Sequence, residues 1–334
     1  MRGGLRIVTL MKTPRLLLSA LILAAFASPS QAGETELQAL ALSHQHAALE
    51  TLARERLARD PLDDAALWYW GLDAASEPRV RVELLGRAQD CAHAKPQSAR
   101  CQHLWGALVA ARFMQEIDLT ALSGIGEVRE HFENAVMLAP QDYAMRHDLQ
   151  AFYLEVPGVL GGSSRKARAQ AEAFARIDPA RATLLRAEIA IDNKDFDGAE
   201  SLLAGVQPAA DALLARDLQA VQVDLGSALI EADATLRARA CFERLLQQDP
   251  QSAEAQVGLG RSLKVLQQAP AAVAAFERAL QLDPGLHIQH RLAAAAEAAG
   301  DKPKAIAAWQ RVLADPAEAA DADKAHDRLA ALQR

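Results

Sequence analysis

Aromatic residues are scarce in this chain. Phe, Trp and Tyr together make up 4% of it, although 51% of its residues are hydrophobic, and runs such as Ala293 to Ala296 show how much of that share is alanine. Alanine is the best helix former and lets helices approach closely, whereas a β-sandwich needs Val, Ile, Thr and aromatics, so a β-rich fold is excluded. Cysteine is nearly absent, with three residues and neither a CxxC nor a His-Cys pattern, which removes the support for a zinc or dithiol redox site. No apolar run reaches the 18 or more residues of a membrane-spanning core. HExxH, GxSxG, a Walker loop and a glycine fingerprint after a strand are all missing. Charged residues at 24% argue against disorder, and 334 residues suffice for two or three domains or one elongated array.

The N-terminus has the three-part pattern of a secretory signal. Met11 to Arg15 is a short basic segment, Leu16 to Ala27 is apolar, and Ser30-Gln31-Ala32 places small residues at a cleavage position. Residues 1–32 are therefore expected to be removed, leaving a mature start at Gly33 and a periplasmic or secreted protein with no stable membrane insertion. Losing Arg2, Arg6, Lys12 and Arg15 takes the net charge from −7 to −11, which disfavours nucleic acid as a partner. Export also permits disulfides. Cys91 and Cys101 stand symmetrically about Pro96, so their side chains could face each other across a turn between antiparallel helices. Cys241 is then left as a small packed residue.

Prolines punctuate the chain at 61, 96, 140, 179, 250, 284 and 316, five of them in Asp-Pro pairs, with a basic interval near 34 residues. Proline lacks an N–H and clashes with the preceding turn, so each is expected to close a helix. Within two successive intervals six of seven positions carry the same residue: Leu225, Gly226, Leu229, Ala238, Phe242, Leu245 and Pro250, then Leu259, Gly260, Leu263, Ala272, Phe276, Ala279 and Pro284. Trp70-Gly71, Trp105-Gly106, Leu149 with Tyr153, and Ala305 with Trp309 occupy corresponding places in other intervals.

This spacing resembles the tetratricopeptide repeat (TPR) family, and more narrowly exported bacterial TPR proteins of unassigned activity. The resemblance implies an all-α fold, a right-handed superhelical solenoid of helix-turn-helix pairs. It implies N-terminal capping helices over 33–62, about seven units over 63–316 and a C-terminal capping helix over 317–334. The register of the unit spanning 180–215 is ambiguous. Extra residues around 115–126 and 157–164 are expected between the first and second helices of their pairs.

Such arrays bind through a concave groove lined by first helices. Counting back three residues from the small position gives Trp68, His103, His147, Val223, Val257 and Arg291, while Arg261 follows the small position in its unit and Lys264 lies one turn further. That groove would be aromatic and histidine-bearing in its N-terminal half and basic in its C-terminal half. It suits a protein or peptide of the cell envelope with an acidic or carboxylate end. Trp68, Tyr69 and Trp70 spread over about 200° of a helix, so all three cannot enter one seam and Trp68 is the one expected to reach a ligand.

The expected function is therefore that of a non-catalytic scaffold or adaptor, without cofactor or metal. Two alternatives stay open: a small-molecule binder or enzyme using the loop at Gly161-Gly162-Ser163 or the groove histidines, and a structural spacer in an envelope complex. That loop lacks the Gly-Lys-Ser/Thr ending of a phosphate cradle, and the simpler reading is a turn with Ser163 or Ser164 capping the next helix.

Overall fold

The computed structural model describes residues 29–43, 45–75, 78–115 and 119–333. The expected leader thus lies outside the described residues except for 29–32, the first turn of a helix, and His44 lies outside as well. The described residues hold 17 α-helices, two short 3-10 segments and no strand. They divide into two compact units.

The first unit comprises the described residues up to Asp192 together with Gly205–Asp217. It contains α1 (Pro29–Leu42), α2 (His46–Arg59), α3 (Asp64–Asp73), α4 (Pro78–Ala94), α5 (Ala99–Gln115), α6 (Leu119–Leu138), α7 (Tyr143–Glu155), α8 (Ser164–Phe174) and α9 (Pro179–Asp192). Several begin where a side chain satisfies an orphan N–H group. Asp63, Asp142 and Ser163 accept from the backbone N–H three residues on, at Ala66, Met145 and Lys166. Asp63 also receives Arg56 Nε at 2.7 Å, which ties the cap of α3 to the end of α2. A disulfide joins Cys91 and Cys101, whose Cα atoms are 5.4 Å apart, and pins α4 to α5 around the Pro96 turn.

The second unit comprises Asn193–Ala204 and the described residues from Leu218 on. It holds α10 (Phe196–Ala204), most of α11 (Ala212–Glu231), α12 (Thr235–Gln248), α13 (Ala253–Val265), α14 (Ala269–Leu282), α15 (Gln289–Ala298), α16 (Lys302–Ala314) and α17 (Ala322–Leu332). From α12 onward each helix packs on the next. Phe242 is fully buried between two glycines: a Cβ on Gly226 of α11 would come 2.5 Å from its ring, and one on Gly258 of α13 would come 2.1 Å from it. Gly260 stands in the same relation to Phe276, at 2.7 Å. The small residue therefore receives the aromatic wedge, and both helices that flank Phe242 need a missing side chain to admit it. These are TPR-like helix pairs, and the fold is all-α.

A second repeat appears only in the backbone. Lys194, Asp233, Gln267 and Gly300 all have positive φ, between 60° and 76°, and each sits in the turn between the helices of a pair. Three of the four are not glycine, so the recurring left-handed turn carries no residue signature.

The two insertions take different forms. The residues around 115–126 do not make a loop: α5 runs to Gln115 and α6, 20 residues long, starts at Leu119, so most of the extra length is helical. The 157–164 segment is a tight turn. Its Gly158–Leu160 stretch is 3-10, Gly161 has φ 109°, and a Cβ on Gly162 would fall 1.6 Å from the Val156 carbonyl oxygen. Ser163 N–H donates to Tyr153 O at 2.7 Å, and the Ser163 hydroxyl caps α8.

Candidate functional site

The groove positions meet opposite fates in the two units. In the first, Trp68, His103 and His147 are 3%, 0% and 4% exposed, so they do not line an open surface. This corrects the expectation that they face a ligand. Trp68, Tyr69 and Trp70 are all buried because α3 is enclosed by α1, α2, α4 and α5. Burial pushes the Tyr69 hydroxyl up to about 12, with Glu34 and Asp142 adding to it and Arg100 opposing. Trp70 takes the buried leucine position, with the Arg54 guanidinium 4.4 Å above its ring.

The polar atoms of Trp68, His103 and His147 are engaged along successive first helices. Trp68 Nε1 donates to His103 Nδ1 at 2.9 Å, and His103 Nε2 donates to Asp148 Oδ2 at 2.8 Å. His147 Nδ1 donates to Asp148 Oδ1 at 3.1 Å, and His147 Nε2 lies 3.6 Å from Glu188 Oε1. Glu188 also accepts from Gln150 Nε2 at 2.6 Å and from Tyr143 Oη at 3.3 Å. This chain links α3, α5, α7 and α9. Asp148 is its centre: burial would raise its pKa, but the hydrogen bonds from His103 and His147 hold it below the ordinary carboxylate value. Sequence reasoning found the two histidines and missed Asp148 and Glu188. The adjacency of His147 and Asp148 was the available signal.

In the second unit the corresponding row is partly open. Val223 and Val257 are half-buried, Arg261 and Arg291 likewise, and Lys264 is exposed. Arg261 Nη1 donates to Ser227 Oγ of α11 at 3.1 Å, and its Nη2 is 4.0 Å from Glu231. Among the described residues neither the Arg291 guanidinium nor the Lys264 ammonium has a hydrogen bond or ion pair. Burial lowers the Arg291 pKa and the charge of Arg261 lowers it further, against Asp321 and Glu318. Lys264 is lowered by burial, then by Lys324 and Arg291, against Glu297.

The nearby acids are engaged elsewhere. Glu297 holds Arg328 and the Trp309 indole N–H, while Glu318 accepts from the backbone N–H groups of Gln289 and His290 and from His290 Nδ1. The result is a set of partly desolvated cations that repel one another, an arrangement that an anionic group would relieve.

The remaining candidates are structural. Leu225, Gly226, Gly260, Phe242 and Phe276 are buried, as are Gly71, Gly106 and Trp309, whereas Trp105 and Leu259 are half-buried. Cys241 is buried, its thiol pushed up by that burial. His287 and His290 take separate carboxylates, Asp315 and Glu318, each at 2.7 Å. Among the described residues no three His, Cys, Asp or Glu side chains are placed to hold a metal ion. No helix among them is long and apolar enough to cross a membrane.

No family model and no curated protein matches the chain. Among solved structures it is similar to a chain of the APC/C hetero-tetramer Cut9-Hcn1, at 15% identity and a TM-score of 0.48. That likeness covers 92% of this chain, which spans 56% of the length of the other. A tetratricopeptide repeat protein from Parabacteroides merdae ATCC 43184 is similar at 12% identity and a TM-score of 0.48, covering 79% of this chain and 97% of that one. The helix-pair architecture rests on the packing of this chain's own residues, from the Phe242 wedge outward.

Proposed function

We propose that this chain is a non-catalytic, protein-binding scaffold of the bacterial cell envelope, and that its second unit receives an acidic segment of a partner. The observation that carries this reading is the pair Lys264 and Arg291, cations on the first-helix side with no hydrogen bond or ion pair among the described residues, standing beside Arg261, which holds Ser227 and Glu231. A carboxylate in contact with them exchanges mutual repulsion for charge-assisted hydrogen bonds. The envelope location follows from the basic, apolar and small-residue pattern ending at Ala32.

An acidic peptide rich in Asp and Glu, titrated against the full chain at low and moderate salt, tests the binding site. Arg261→Glu and Arg291→Glu are each expected to lower affinity about tenfold or more, the usual scale for losing a charged hydrogen bond. Equal binding by the variants would remove the site. N-terminal sequencing of the protein from its native host tests location, with Gly33 as the expected first residue.

The alternative site at Gly161-Gly162-Ser163 has less to recommend it. Its backbone N–H groups at 161, 162 and 163 are bonded to Gly158, Pro157 and Tyr153 carbonyls, leaving none of these donors for a phosphate.

A further inference from the structure

We propose that the buried polar chain of the first unit is a proton-operated latch, fastened while His147 is an imidazolium and loosened when it loses a proton. The argument runs from donors. An indole nitrogen can only donate, so the Trp68 bond requires a bare Nδ1 on His103 and places that ring's single proton on Nε2, facing Asp148. His103 is therefore neutral. Asp148 accepts from both histidines, which places a proton on His147 Nδ1.

The other face of His147 looks at Glu188, which already accepts from an amide and a phenol, the surroundings of an ionised acid. Two carboxylates at 6% and 11% side-chain exposure then flank one ring. A second proton on His147 Nε2 gives that ring a charge to set against both.

Charged groups on the surrounding helices have partners of their own: Asp142 caps α7 at Met145, Arg100 of α5 pairs with Glu34, and His131 of α6 bonds Gln102. Arg181 of α9, whose guanidinium stacks 6.0 Å from the Tyr143 ring, binds Asp178, Asp211 and Asp217. Arg146 of α7 donates to Pro140 O and lies over Phe174 of α8, while Glu133 of α6 holds Tyr153 and Lys166. When pH rises and His147 Nε2 is bared, its lone pair faces a carboxylate, and the link from α7 to α9 turns repulsive. Among the described residues no buried histidine–carboxylate chain joins the first helices of the second unit, where Arg261 reaches Ser227 instead, so the response is expected in the first unit alone.

Imidazole nitrogen NMR on the full-length protein reads the protonation states directly, with signals assigned by their loss in His103→Gln and His147→Gln. At pH 7 the expected spectrum has both nitrogens of His147 protonated and His103 protonated only on Nε2. In Glu188→Gln the pH at which His147 loses its second proton is expected to fall by about one unit or more, while the His103 tautomer is unchanged. A neutral His147 at pH 7 in the unmodified chain, or a titration indifferent to Glu188→Gln, overturns the latch. Should that variant fail to fold, amide exchange of the unmodified protein at pH 6 and pH 9, corrected for intrinsic rates, decides the matter. Protection lost preferentially in α7 and α9 supports the proposal, and equal loss in both units sinks it.

Discussion

The two units place the same repeat position in different surroundings. In the first, Trp68, His103 and His147 turn into a closed interior where Asp148 and Glu188 use up their polar atoms. In the second, Val223, Val257 and Arg291 stay partly open, and Arg291 and Lys264 stand there with no hydrogen bond or ion pair among the described residues. Repeat register therefore decides which face of a helix a residue occupies. Whether that face is available to a partner depends on what the neighbouring helices bring to it.

The largest effect should come from the wedges that hold the second unit together. Phe242→Ala and Phe276→Ala each remove a buried ring and leave a cavity between glycines, with an expected cost of about 3–5 kcal/mol in urea unfolding. Gly158→Ala, at an exposed position with open space around its Cβ, is the expected silent control in the first unit. Neutral Phe variants would show that the repeat register is misplaced, and the groove derived from it would fall with it.

Next in size is the disulfide, which belongs to the first unit only. Cys91→Ser with Cys101→Ser opens a crosslink spanning 10 residues, expected to cost about 3 kcal/mol by the loop-entropy estimate. Calorimetry under oxidising conditions should show the first unit melting earlier and the second unmoved. A uniform shift of both would erase the distinction between them.

The units should also part company in acid. Asp148 has a depressed folded pKa, so its contribution is present above the unfolded carboxylate range of about 3.9 and is lost as pH falls through the folded value. Asp148→Asn is expected to flatten that acid limb in the first unit while lowering its stability at neutral pH. An acid limb as steep as before would mean that other carboxylates carry it.

The smallest effect concerns the recurring turn. Gln267 holds φ 60°, where a non-glycine residue is strained by about 1 kcal/mol, so Gln267→Gly should be neutral or stabilising by up to that amount. Destabilisation by more than this in a thermal melt would show that the Gln267 side chain has a role of its own.

The sequence by itself determined the helices, their period and the wedges, because these follow from local rules. Alanine-rich amphipathic segments form helices, proline ends them, and a glycine opposite an aromatic at fixed spacing leaves room for the ring. Gly226 with Phe242 and Gly260 with Phe276 were legible for that reason. The left-handed turns at Asp233 and Gln267 were not, since any residue can be forced into that conformation when the flanking helices are held by their packing. Nor could spacing reveal that Trp68 and His103 are consumed inside the first unit, for their partners lie 35 and 45 residues along the chain. Exposure, protonation and pairing depend on which atoms meet across helices distant in sequence, and only the tertiary structure brings those atoms together.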